Sequence, residues 1–268
     1  MSAPLNVRTG DKVDEIKQAF QGGLSDQQAL QGEIEEVEKA LRRDPDAPVG
    51  MRFIIHPANE VPLDVTKDDL EPLLRDPTKT GNRPLGWNFA SRYNELRRDR
   101  QGFVFDDGRK AQWLTVASMG RIEFDAVLER LHWRGESKSI WPFALMELPV
   151  SVARLARALF SMFSKPPLSP ATDIVLGLGL YRIGEWTLAP YSPSTMAYGM
   201  RNAKKYSTVN PLGDFLSTPK VVKWKELSAK PDNCAMRLVR ELYYDFGYDD
   251  DQVPTEYDAV AQELIFPA

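Results

Sequence analysis

The chain has 268 residues, of which 43% are hydrophobic and 27% charged, with a formal net charge of −4. That balance belongs to a globular chain with a sizeable core, and it excludes a whole-protein basic footprint for sequence-independent nucleic-acid binding. The one cysteine, Cys234, excludes an internal disulfide and a multi-thiolate metal site and suits a reducing compartment, so a cytoplasmic protein is expected.

Residues 1–10 show no basic stretch followed by an apolar one, so no signal peptide is expected there. Ser25 with Gln28 forms a capping-box pattern, and Leu30, Ile34, Val37 and Leu41 then recur at helical spacing, predicting an amphipathic helix that ends near Arg43. Its opposite face carries Glu33, Glu35, Glu36, Glu38 and Lys39. The apolar stripe either packs on its own domain or meets a partner, and we take Leu30, Ile34, Val37 and Leu41 as candidate partner-binding residues. The segment from Asp44 to Pro48 breaks the pattern, dividing a helical N-terminal arm, residues 1–45, from a body of residues 46–268.

Met51 to His56 reads as the first strand of the body, stopped by Pro57. Thr66 and Asp69 open a short helix carrying Leu70, Leu73 and Leu74. After a loop from Asp76 to Leu85 come the aromatics Trp87, Phe89 and Tyr93 and the run Arg97-Arg98-Asp99-Arg100. Phe103 to Phe105, a turn at Asp106-Asp107-Gly108, and Ala111 to Val116 predict a hairpin, which Arg121 to Phe124 extends to a meander. Phe124, Val127, Leu128 and Leu131 follow at helical spacing, as do Leu148, Val152, Leu155, Leu159 and Met162. The stretch from Ile140 to Phe163 is apolar, but Glu147, Arg154 and Arg157 argue against a membrane span.

In the run from Ile174 to Tyr181, alternation places Ile174, Leu176, Leu178 and Leu180 on one strand face and Val175, Gly177, Gly179 and Tyr181 on the other. Glycine weakens a strand, so this bare face implies a close approach by a helix, a backbone or a ligand. Trp186 to Leu188 reads as a return strand, and a helix capped by Asp232 or Asn233 runs through Met236, Val239, Leu242 and Tyr243 to Gly247. Blocks of strands and helices predict an α+β fold: a mixed or mainly antiparallel sheet packed with helices, preceded by the arm.

No catalytic signature emerges. Gly177-Leu178-Gly179 lies inside a strand instead of opening a helix, which is the wrong place for a phosphate loop. His56 and His132, the two histidines, lack zinc-motif spacing, and Cys234 in a first helical turn could gain reactivity from the helix dipole. Asp249-Asp250-Asp251 fails the spacing of a calcium loop. We therefore expect no metal, no cofactor and no catalytic residues. Trp87, Tyr93, Arg97, Arg98 and Arg100 combine cations with rings, as a single-stranded nucleic-acid surface does, and the stretch Lys220, Lys223, Trp224, Lys225 is similar. Residues 201–230 carry a net charge of +5 and residues 231–268 one of −7, which suits an internal dipolar contact or a complementary partner.

Val7-Arg8-Thr9-Gly10, Glu15-Ile16 and Ala19-Phe20, then residues 51–57 and Pro84 to Phe89, then the helix before Asp173 to Leu180, follow a familiar order. That order resembles the C-terminal region of bacterial proteins carrying an Alba-like, Schlafen-related DNA-binding domain. The domain itself has no counterpart here, so none of its residues carries over. The resemblance implies an accessory or sensing role in an antiviral defence or regulatory system. The expected function is a non-enzymatic binding, sensing or assembly module whose partner is a protein or a second copy, without membrane contact. A nucleic-acid component is the alternative, and a hydrolase using His56 or His132 the third.

Overall fold

The computed structural model of the chain describes residues 27–42, 50–83, 89, 94–106, 111–127, 138–188, 204–206, 213–254, 256–258 and 263–265. In chain order the elements begin with helix α1 (residues 27–41), strand β1 (Gly50–Pro57), helix α2 (Leu70–Arg75), and strands β2 (Glu95–Asp99), β3 (Gly102–Asp106), β4 (Gln112–Ala117) and β5 (Ile122–Val127). Strand β6 (Ser139–Ile140), helix α3 (Pro142–Phe163) and strands β7 (Asp173–Tyr181), β8 (Thr187–Leu188), β9 (Lys204–Lys205), β10 (Phe215–Leu216) and β11 (Lys220–Lys223) follow. Helices α4 (Trp224–Ala229) and α5 (Pro231–Asp245) and the pair β12 (Glu256–Asp258) and β13 (Glu263–Ile265) end the chain.

The fold is α+β, built on an antiparallel sheet ordered β10-β7-β1-β5-β4-β3-β2, with β11 also pairing β7. The apolar run from Ile174 to Tyr181 lies inside it, between β1 and the short strands β10 and β11. Strand alternation gives the sheet two distinct faces. The inner face carries Met51, Phe53, Phe105, Leu114, Phe124 and Leu178, and α3 and α5 pack on it to form the main core. Helix α3 is buried around most of its circumference, the property of a helix enclosed between other layers. It starts six residues before the Leu148 expected from spacing, with Pro142 in its first turn, and it carries Pro149 internally. No helix among the described residues is long and apolar enough to cross a membrane.

The outer face is crossed by α1. Val37 and Leu41 are fully buried against Ile54 and Val175, with Leu30 and Ile34 half-buried beside them. The stripe Leu30, Ile34, Val37 and Leu41, read as partner-binding, is therefore occupied in cis by the chain's own sheet. The reason lies in β7: a Cβ at Gly177 would stand 2.7 Å from Val37 Cγ1 and 2.9 Å from Leu41 Cδ1, so only glycine admits the helix at this depth. At Gly179 a Cβ would stand 2.6 Å from the hydroxyl of Tyr181, whose ring folds back over the glycine to donate to the Leu41 carbonyl at 2.7 Å. Arg52 donates to the Ala40 carbonyl at 3.0 Å. These two side chains satisfy carbonyls that the end of α1 leaves without helical partners, and the Arg52 charge suits the helix C-terminus. At the other end Glu33 meets His56 Nε2 at 2.5 Å.

Several local expectations change. Phe124 and Val127 belong to β5, not to a helix: Ile122, Phe124 and Ala126 are buried in alternation, and Phe124 stands opposite both Phe53 and Leu114. Asp106 is not a turn residue, because it pairs with Trp113 at the end of the β3–β4 ladder and with the Arg97 guanidinium. Pro231 opens α5, and Asp232 serves as an ion-pair partner instead of a cap. Asp107, Gly108, Leu128, Leu131 and the segment from Asp44 to Pro48 lie outside the described residues.

Candidate functional site

The ladder registers align residues of the outer face into rows running across the sheet. One row is Gly177, Ile54, Glu123, Thr115, Val104 and Arg97, from β7 to β2. The next is Gly179, Arg52, Asp125, Trp113, Asp106 and Glu95. Helix α1 covers the β7 and β1 ends of both rows. At the β2 end the first row enters a shallow concavity of about 540 Å³, lined by Arg97, Asp99, Gln101, Val104, Thr115 and Ala117, together with Arg98 and neighbouring backbone.

Between these halves lies a strip of charge. The Arg52 guanidinium holds Asp125 at 2.9 and 3.2 Å and approaches Glu123 at 3.7 Å. Arg121 links the strip to the helix through Glu36 at 3.6 Å. Burial opposes the Arg52 charge, but Asp125, through hydrogen bond and charge, and Glu123 outweigh it and hold the pKa above the ordinary arginine value.

The structure separates the three arginines proposed for nucleic acid. Arg97 lies on the outer face and is engaged by Asp106, whereas alternation directs Arg98 to the opposite face and Arg100 occupies the turn after β2. Trp87 and Tyr93 lie outside the described residues. In the second cationic stretch, Lys220 pairs with Glu241, Lys223 meets Asp173 at 2.6 Å, and Trp224 packs edge-on to Phe160 with ring centroids 5.7 Å apart. The charge asymmetry is thus partly settled within the molecule, by Lys220 with Glu241.

The chemically reactive candidates are similarly engaged. Burial, the largest effect, and the nearby Glu226 push the Cys234 thiol up to about 12, overriding the helix dipole that would have lowered it. His56 is clamped to Glu33, and His132 lies outside the described residues. Asp249 closes a capping box with Gln252, and Asp250 accepts from Tyr244 at 2.8 Å, so both have local roles. No group of three or more metal-ligating side chains gathers among the described residues.

A second polar cluster is structural. Arg154, 8% exposed, donates to both carboxylate oxygens of Asp232 at 2.7 and 2.5 Å and to the Gly81 carbonyl, joining α3, α5 and the turn after α2. Glu147 pairs with Arg83 one side of it, and Asn82 donates to Thr80 at 2.8 Å. In the sequence, Glu147 and Arg154 served only as arguments against a membrane span, and Asp232 as a candidate cap.

Comparison with protein-family models, with curated proteins and with solved structures finds no match to this chain.

Proposed function

We propose that this protein is a binding and assembly module that works without turnover, and that its contact surface is the half of the outer sheet face between β5 and β2. The observation that carries this reading is the division of one cross-strand row: Gly177 and Ile54 lie under α1, while Thr115, Val104 and Arg97 line the concavity beyond it. Half-buried Val104, Thr115 and Ala117 supply a modest apolar floor, and Arg97, Asp99 and Gln101 a polar rim, the arrangement of a protein contact. The opposite signs of Arg97 and Asp99, with Arg97 already held by Asp106, favour a protein partner over a phosphate backbone, which recruits cations of one sign. On the resemblance of its segment order, we place the module among the accessory parts of a bacterial defence or regulatory system.

A photo-crosslinking amino acid at Thr115, expressed in the source cell, tests the surface. The expected result is a discrete covalent adduct of one mass, absent when the same probe replaces exposed Lys225 on the other side of the sheet. A Thr115 probe that gives nothing beyond the Lys225 control contradicts the reading.

A further inference from the structure

Strand β2 pairs with β3 on one side, and among the described residues no strand lies against its other side. We propose that this edge joins the same edge of a second copy, antiparallel about a twofold axis at Leu96, so that the sheet continues from one protomer into the next. The proposal rests on the assembly reading above and adds an edge contact with a second copy beside that surface.

The register follows from charge. A twofold axis perpendicular to the sheet keeps each face continuous, so residues standing opposite one another must belong to the same face. Along β2, Glu95, Arg97 and Asp99 share the outer face, and Leu96 and Arg98 the inner one. An axis at Arg97 sets Arg97 against its own copy and Glu95 against Asp99, all like charges. Axes at Glu95, Arg98 or Asp99 likewise set one charged residue against itself. The axis at Leu96 places leucine on leucine and Glu95 opposite Arg97 of the second copy, twice by symmetry. It is the one register within Glu95–Asp99 that brings no like charges face to face, and opposite charges directly across a strand pair stabilise it. A charged edge ordinarily guards against pairing. Here the guard rejects every register but one.

A second observation points the same way. Within the protomer, Glu95 stands directly opposite Asp106, two like charges across a strand pair, and the protomer's own Arg97 is engaged by Asp106. Arg97 of the second copy would arrive beside Glu95 and balance the acidic end of the row. Leu96, the half-buried apolar residue of an otherwise exposed strand, would be covered by its mate. A strand of five residues makes a small contact, so the dimer is weak and salt-sensitive.

Sedimentation equilibrium of the full chain from micromolar to near-millimolar concentration, at low and high salt, tests this. The mass should rise towards that of a dimer at low salt. Glu95→Arg alone and Arg97→Glu alone should each weaken association about tenfold or more, and the double variant should restore it. Unchanged melting of each variant confirms that the fold is intact. A protein that stays monomeric, or a double variant as weak as the singles, overturns the proposal. If the Thr115 adduct persists in that case, the assembly reading stands with a different partner; if the adduct is missing too, both fall.

Discussion

Arg154→Ala is expected to cost the fold about 3–5 kcal/mol, because it leaves the Asp232 carboxylate without its bidentate partner and the Gly81 carbonyl without its donor. The loss should appear as a lowered denaturant midpoint with little change in the slope. Asp232→Ala should be as damaging, since it strands a guanidinium in a site where Arg154 is 8% exposed. The two losses should be far from additive, because either substitution destroys the same contact. An Arg154→Ala protein within about 1 kcal/mol of the parent would show that the strut between α3 and α5 contributes no more than a surface ion pair.

Gly177→Val should destabilise by about 1–3 kcal/mol through overpacking, since its side chain enters space held by Val37 and Leu41. The effect should be concentrated at α1, whose carbonyl contacts to Arg52 and Tyr181 depend on the same close approach. Adding Val37→Ala makes room, so the double variant should be less destabilised than the sum of the singles. Strict additivity in this cycle would mean that α1 does not sit on Gly177.

The sheet centre was legible because β7 alternates without a charge across Ile174–Tyr181, and because two glycines on one face demand a close neighbour. What filled that face was not legible, since nothing in the order of residues ties Val37 to Gly177 or Glu33 to His56. Strand β2 escaped notice because Glu-Leu-Arg-Arg-Asp carries no apolar alternation: an edge strand is patterned for solvent, and solvated charge looks the same in a loop. Phe124 and Val127 misled because residues three apart suit a helix, while Ile122, Phe124 and Ala126 equally suit a strand, and pairing with β1 and β4 decided between them. Which way the Cys234 pKa moves was not legible, because position in a first helical turn is local, whereas the burial that raises it is tertiary. Of the surface now proposed, Arg97 was singled out by charge. Val104, Thr115 and Glu95 became visible only through the register that lines them up across the sheet. Carrying the hairpin register of Phe103 to Val116 one strand further would have found them.

Amide hydrogen exchange of the whole chain, compared between dilute protein and protein engaged with the partner captured at Thr115 or with a second copy, tests the division of the outer face most directly. The account predicts slowed exchange along β2 and β3, with α1 and β7 protected to the same extent in both states. Slowed exchange confined to α1, with β2 and β3 unchanged, would contradict it and make the helix the element that meets the partner.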